Sequence, residues 1–158
     1  MHILNMTVDD LPRVGEIQRR TYPAELQEPL SILEKRRSLA PQFCLIARVD
    51  QAVAAYLIAH PWSPASSPGL NADLDRLPDD ASVLHLHDLA VDLDFRGMRL
   101  AHRLFEALLQ EARDHNFADI TLVAVGDARP FWERLGFFAQ YHPAGYDAQA
   151  VFMARTVM

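Results

Sequence analysis

The feature that most constrains this sequence is a strand–helix–strand unit between about residues 82 and 125. Its first strand is the apolar run VLHLHDLAV, and its second is the run DITLVAV. Between them, leucine and other apolar side chains recur with helical spacing, and this helix is predicted to open at about Gly97. Consecutive strands connected through a helix pair in parallel, whereas a tight turn connects antiparallel strands. The fold must therefore include a sheet with at least one parallel pair.

The rest of the chain predicts antiparallel strands and shorter helices. The apolar runs FCLIARV and AVAAYLIAHPW flank the polar pair Asp50-Gln51, which is typical of a β-hairpin. Residues 61–80 are rich in proline, serine and aspartate and predict a long surface loop. Further strands are predicted at residues 2–8, 137–141 and 149–157, and further helices near residues 7–22, 30–39 and 128–137. Together these elements predict an α/β fold with a mixed, mostly antiparallel sheet, helices on both faces, and residues 1–158 forming a single domain.

The composition limits the classes of partner. The formal net charge is −6 over 158 residues, which argues against a nucleic-acid-binding protein because such proteins present basic surfaces. The single cysteine, Cys44, excludes an internal disulfide and is compatible with a reducing compartment. The sequence shows no signal peptide and no apolar run of the ~20 residues that span a membrane. We therefore expect a cytoplasmic protein, monomeric or homodimeric, that binds neither membranes nor nucleic acid.

The segment VDLDFRGMRLAHRLFEALL, which begins at the end of that first strand, has the features of an anion-binding site. The strand runs into a short turn, and the helix begins there with Arg96, Gly97 and Arg99 close to its first turn. The start of a helix presents unpaired backbone N–H groups and the positive end of the helix dipole, and both favour phosphate. The alternative is a basic patch that binds no ligand.

The order of the elements, together with LAVDLDFRGMRLAHRLFEAL and PFWERLGF, resembles the GNAT superfamily of acyl-CoA-dependent N-acetyltransferases. The stretch LHLHDLAV is most similar to the serotonin (arylalkylamine) N-acetyltransferase branch, and the resemblance is strongest over residues 83–105 and 126–137. It implies acetyl-CoA as the cosubstrate and direct acetyl transfer to an amine. It also implies a set of CoA contacts, of which the first three pair with the pantetheine arm through their backbone: Leu89, Ala90, Val91, Arg96, Gly97, Met98, Arg99, Leu100, Ala101, His102 and Trp132.

Two positions depart from the pattern of that family. Arg99 stands where the pyrophosphate loop has a glycine that lets the backbone approach the ligand. Trp132 stands where these enzymes commonly have a tyrosine whose hydroxyl protonates the leaving thiolate, and an indole N–H is not a useful acid. We expect Trp132 to pack its helix onto the sheet, and Tyr141 and Tyr146 are other sources of a hydroxyl. A non-catalytic acyl-CoA-binding sensor is therefore an alternative to an enzyme.

Strand alternation places His85 and His87 on one face of their strand and Asp88 on the other. An alkylamine has a pKa of about 10.4, so at pH 7 it is protonated and lacks the lone pair needed for attack. Histidine can remove that proton near neutral pH, and the resemblance assigns this catalytic role to His85 and His87. The alternatives are a purely structural pair and a metal site, but no third metal ligand is evident nearby and no metal is predicted.

The early helices and their connecting segment build the amine pocket in the branch that the chain resembles. Here that segment is TYPAELQEPLSI, and it contributes Tyr22, Glu25, Glu28 and Pro29 as predicted substrate contacts. The tyrosine and proline suit an apolar body and the glutamates suit an ammonium group, unless the loop is simply solvated. The sequence therefore predicts an enzyme that acetylates a small primary amine of arylalkylamine or polyamine type. The alternative within the same fold is an enzyme that acetylates peptide or protein amines.

Overall fold

The computed structural model describes residues 1–158 and contains one seven-stranded sheet. In chain order the strands are β1 (His2–Asn5), β2 (Leu45–Val49), β3 (Ala52–Trp62), β4 (Val83–Val91), β5 (Asp119–Ala124), β6 (Phe138–Tyr141) and β7 (Val151–Thr156). Their order across the sheet is β1-β2-β3-β4-β5-β7-β6, and β4 and β5 are the only parallel neighbours. The predicted parallel crossover and the predicted hairpin are both confirmed.

Four helices cover the two faces of the sheet: α1 (Leu11–Thr21), α2 (Leu30–Leu39), α3 (Leu100–Asp114) and α4 (Arg129–Arg134). α1 and α2 pack against one face over a core that includes Ile17 and Ile58. α3 and α4 lie on the other face over a larger core that includes Leu57 and Leu104. The predicted mixed sheet with helices on both faces is therefore confirmed. No helix combines the length and the apolar character needed to cross a bilayer.

Two of the differences between the predicted and the observed element boundaries have clear local reasons. β1 ends early because Thr7 and Asp10 form a capped 3-10 turn, in which the Asp10 carboxylate accepts hydrogen bonds from the backbone N–H and the hydroxyl of Thr7 (2.9 and 3.2 Å). α3 begins at Leu100 rather than at Gly97, because Gly97 and Arg99 both adopt left-handed backbone angles (φ 85° and 58°). A right-handed helix excludes such angles.

β4 carries a bulge at His87, and this bulge reverses part of the predicted alternation. Two successive residues of β3 pair with Asp88 and Leu86, so His87 has no partner opposite it. Asp88 consequently lies on the same face as the histidines, where it accepts a hydrogen bond from the Tyr56 hydroxyl (2.7 Å). The prediction that Asp88 faces the other way is wrong, because the alternation rule assumes a strand without an extra residue.

Candidate active site

A cavity of about 640 Å³ opens where β4 and β5 separate. The two strands pair only over Leu84–Leu86 of β4, and beyond that point the backbone of residues 87–91 has no strand beside it on the β5 side. The cavity wall continues from both strands to the first turn of α3, to α4, and to the segment that joins α1 and α2. The parallel pair that the sequence predicts therefore creates the cleft by diverging.

One end of the cavity, the α3 end (Arg96, Gly97, Arg99 and Leu100), is formed by the loop before α3 and its first turn. Gly97 is needed there for its backbone angle alone, since a Cβ added to it would meet no atom within 4 Å. Arg99 takes the other left-handed position, where the related pattern has glycine. Most of the predicted CoA contacts line the cavity: Leu89, Ala90, Val91, Arg96, Gly97, Arg99, Leu100, Ala101 and Trp132.

Two predicted CoA contacts do not line the cavity. Met98 is exposed at the tip of the loop before α3. His102 is half-buried on α3 and packs edge-to-face against Phe131, with 5.2 Å between the ring centroids. Met98 lies between the two left-handed residues of the loop, and His102 lies on the side of α3 that contacts α4.

Asp92, directly after β4, fixes the loop of the α3 end. Its buried carboxylate accepts hydrogen bonds from Arg13 (2.8 Å) and Arg20 (2.9 Å) of α1, and from the backbone N–H of Asp94 (2.9 Å). Burial alone would raise the pKa of Asp92, but these donors hold it below its usual range. The loop is therefore tied to α1 by charge pairs that the sequence pattern does not indicate.

Trp132 of α4 packs in an aromatic cluster while also lining the cavity. Its ring meets those of Phe105, Phe131 and Phe137 edge-to-face, at centroid distances of 6.1, 4.9 and 5.5 Å. This geometry is the favourable one for aromatic pairs. The expected packing of Trp132 between its helix and the sheet is confirmed.

The other end of the cavity, the inner end (Tyr22, Glu28, Leu70, His87 and Tyr146), contains a carboxylate–imidazole pair whose two side chains are buried. One Glu28 oxygen lies 2.5 Å from His87 Nε2, and the other accepts a hydrogen bond from the backbone N–H that follows Leu70 (2.7 Å). Burial alone would raise the pKa of Glu28, but these partners bring it below its usual value. An ionised Glu28 makes Nε2 of His87 the donor. The lone pair of His87 Nδ1, which has no hydrogen-bond partner, is then free to accept a proton.

The structure separates the two histidines that the sequence proposes as catalytic. His85 is 1% exposed and does not line the cavity, and its Nδ1 lies 2.9 Å from the Thr121 hydroxyl of β5. Burial, reinforced by His60, His87 and Arg36, holds the pKa of His85 well below its usual value. His85 is therefore neutral at physiological pH. The expectation that both imidazoles face the cavity applies to His87 alone.

Sequence reasoning misses a third histidine and a buried arginine beside the inner end. The His60 ring of β3 lies 6.0 Å from that of His85 and 6.5 Å from that of His87. The Nε2 atom of His60 accepts a hydrogen bond from Nη1 of Arg36 (2.8 Å), and Nη2 of Arg36 donates to the Gly69 carbonyl (3.2 Å). Burial lowers the pKa of His60 to about 3. The only sign of this contact in the sequence is the polar residue His60 within the apolar run AVAAYLIAHPW, and it does not indicate a hydrogen-bond partner.

Of the four predicted substrate contacts, Tyr22 and Glu28 line the cavity, and Glu25 and Pro29 do not. The Tyr22 hydroxyl donates a hydrogen bond to a backbone carbonyl of β4 (3.0 Å). A 3-10 turn in the segment after α1 directs Leu26 inward and leaves Glu25 exposed. The alternative of a solvated acidic loop therefore holds for Glu25, which is exposed, but not for Glu28, which is buried.

The two tyrosines proposed as hydroxyl sources also lie in different places. Tyr146, in the loop between β6 and β7, lines the cavity, and burial together with the nearby Glu28 charge raises its pKa to about 12. Tyr141 stacks on Phe152 at 4.6 Å and does not line the cavity. Tyr146 is therefore the one of these two hydroxyls that the cavity contains.

Comparison with known proteins points to one family. The family model described as the acetyltransferase (GNAT) family matches residues 11–137, which is most of the chain. No curated protein matches this sequence.

Solved structures share the whole fold at low sequence identity. Ard1 from Thermoplasma volcanium is similar with a TM-score of 0.80 and 18% identity, over 99% of this chain and 97% of that chain. The GphF GNAT-like decarboxylase in complex with isobutyryl-CoA is similar with a TM-score of 0.84 and 18% identity, over 100% of both chains. The ribosomal-protein-S18-alanine N-acetyltransferase from Escherichia coli has a TM-score of 0.69 and 19% identity, over 99% of this chain and 93% of that chain. The predicted GNAT fold is confirmed.

Proposed function

Because the chain belongs to the acetyltransferase (GNAT) family, we propose that it transfers the acetyl group of acetyl-CoA to a small primary amine. The observation that carries this proposal is the cavity, which connects the α3 end to the buried Glu28–His87 pair. Acetyl-CoA is the cosubstrate of this family, and it supplies the thioester carbonyl carbon that the amine attacks.

The α3 end fits an acyl-CoA molecule. No strand pairs with residues 87–91 on the β5 side, so an extended pantetheine arm can bond there as an added strand would. The Leu89 carbonyl is the exception, since it already accepts a hydrogen bond from the Tyr22 hydroxyl. No side chain caps α3, so the N–H groups of its first turn are available to phosphate oxygens. Arg96 and Arg99 are exposed beside that turn and add positive charge.

We assign the role of proton acceptor to His87, with Glu28 as its partner. At pH 7 only about one alkylamine molecule in a few thousand is neutral, so the site must take a proton from the ammonium group. His87 Nδ1 takes that proton, and the Glu28 carboxylate stabilises the resulting imidazolium through Nε2. The neutral amine then forms the C–N bond as the C–S bond breaks. The amide nitrogen releases its remaining surplus proton to solvent, and the thiolate takes one up.

The leaving thiolate does not need the tyrosine that Trp132 replaces. A thiol with a pKa near ~8.5 leaves readily as thiolate and can be protonated by water. The Tyr146 hydroxyl lines the cavity and, with a pKa of about 12, donates a hydrogen bond more readily than a proton. Trp132 is thus compatible with turnover.

The covered inner end favours a small acceptor over a peptide. The long loop between β3 and β4 is bonded to Glu28 through the Asn71 N–H (2.7 Å) and to Arg36 through the Gly69 carbonyl (3.2 Å). A peptide needs an open groove through which its chain continues beyond the reacting amine. A loop held there by two buried charged side chains supports a closed acceptor pocket over such a groove.

Thiol release from acetyl-CoA, measured with a panel of alkylamines, arylalkylamines, polyamines and short peptides, tests the proposal. We expect release with small monoamines and a rise in melting temperature with acetyl-CoA alone. Release with peptides only would replace the small-amine proposal with peptide acetylation. A rise in melting temperature without release on any acceptor would instead support an acyl-CoA-binding sensor.

A further inference from the structure

We propose that Leu70 limits the size of the acceptor, acting as a fixed apolar stop at the inner end of the cavity. The inference rests on the proposed function and adds a substrate class to it, namely a primary amine with one charge and a short apolar body. Leu70 is the one residue of the long segment between β3 and β4 that lines the cavity.

The residues on both sides of Leu70 are anchored by buried charged groups. The Gly69 carbonyl accepts a hydrogen bond from Arg36 (3.2 Å), and the Asn71 N–H donates one to Glu28 (2.7 Å). Arg36 and Glu28 are 0% and 5% exposed. Asn71 also holds a left-handed backbone angle (φ 63°), which asparagine tolerates better than most residues. The backbone that carries Leu70 is therefore held in place beside the cavity.

The surroundings of Leu70 suit an apolar body and oppose a second charge. Tyr22, Leu26 and Tyr146 line the cavity together with Leu70. The two carboxylates at this end already have partners, since Glu28 binds His87 and the Asp88 carboxylate accepts a bond from Tyr56. A second ammonium group would have to compete with these partners in a largely apolar lining, which disfavours polyamines.

The test is the chain-length dependence of kcat/KM over linear primary alkylamines, from propylamine to decylamine, with the matching α,ω-diamines. We expect Leu70→Ala to move the optimum to longer amines, with a gain over the parent of about fourfold for each methylene that fills the vacated space. Leu70→Trp should move the optimum to shorter amines. Diamines should be poor substrates of all three proteins. The matched control is Leu4→Ala, which removes an exposed leucine of β1 and should leave the length profile unchanged.

A second readout separates this inference from the acetylation proposal. Calorimetry of the same alkylamines binding to the CoA-loaded protein reports the length preference without any chemistry. If the parent protein releases no thiol but Leu70→Ala still shifts that length preference, the size limit is supported and acetylation is overturned. An unchanged preference in both kcat/KM and Kd would overturn the role of Leu70, even if turnover with amines is found.

Discussion

The two ends of the cavity are built on opposite physical principles. The α3 end is exposed and local, and it presents backbone N–H groups and arginine side chains from one stretch of chain. The inner end is buried and composite, because Glu28 and His87 come from different elements and bond to each other, and the buried Arg36–His60 pair from two further elements lies beside them. Exposed charges are screened by salt, whereas buried titratable groups respond to pH. Salt and pH should therefore act on different ends of the same cavity.

The largest effect at the inner end is a loss of catalytic efficiency, which we expect from His87→Gln. The glutamine amide can still donate to Glu28 in the place of Nε2, but it cannot accept the ammonium proton. At pH 7, kcat/KM for the amine should fall about 10²- to 10⁴-fold, the range that general-base catalysis contributes. The loss should shrink as the pH approaches the pKa of the amine, where the neutral form becomes abundant. Steady-state thiol release between pH 6 and about pH 10 measures both the loss at pH 7 and its decrease in alkali.

The matched control is His85→Asn, in which the carboxamide replaces Nδ1 as the partner of Thr121. This variant should keep most of the activity, because His85 does not line the cavity. Both variants should keep the rise in melting temperature that acetyl-CoA causes. Equal losses of activity in the two variants would contradict the separation of the two histidines.

A smaller effect is expected on the pH dependence of stability, from His60 beside the inner end. His60 has a pKa of about 3 in the folded protein, and a histidine in an unfolded chain has a pKa of about 6.5. The unfolded state therefore binds the proton first, so stability is complete above pH 6.5 and declines as the pH falls towards 3. Between pH 7 and pH 5 this group alone should lower the free energy of unfolding by about 2 kcal/mol.

Substitution of His60 by Gln isolates this contribution, because the glutamine carbonyl can still accept the hydrogen bond from Arg36. Urea unfolding at pH 7, 6 and 5 should show a decline shallower than that of the parent by about 2 kcal/mol. His2→Gln, at an exposed position of β1, should reproduce the parent decline. A parent-like decline in His60→Gln would mean that His60 does not govern the acid response.

The contrast between the ends also explains which parts of the site could be predicted from the sequence. The α3 end lies within a single strand–turn–helix segment, so its residues stand at fixed spacings that a motif captures. The contacts of Glu28 with His87 and Asn71, and of Arg36 with His60, join distant positions that have no common spacing. The general fold followed from apolar periodicity, since each predicted strand and helix is present. The network between elements depends on how they pack, and periodicity carries no information about that.

The bulge in β4 shows a second limit of prediction. The run VLHLHDLAV contains no glycine or proline that would mark an extra residue, so alternation assigns Asp88 to the wrong face. The bulge brings Asp88 to the face that holds His87 and Tyr56. Burial then raises the pKa of Asp88, so its negative charge is less favoured than that of Glu28. Of the two carboxylates, Glu28 is the better partner for a protonated His87.

The smallest effects are expected at the α3 end, where the backbone angle of Arg99 lowers the stability of the fold and its charge favours CoA binding. Its left-handed backbone (φ 58°) costs about 1 kcal/mol relative to glycine, so Arg99→Gly should raise the free energy of unfolding by about that amount. Arg99→Ala keeps the strained backbone and removes only the side-chain charge. Both variants should bind CoA a few-fold more weakly at low ionic strength, and the difference from the parent should fade near ~1 M salt. Weaker binding in Arg99→Ala but not in Arg99→Gly would mean that backbone freedom outweighs the charge at this loop. Unchanged binding in both would mean that the α3 end recognises phosphate through its backbone and remaining arginines, and that the family's glycine position tolerates arginine without using it.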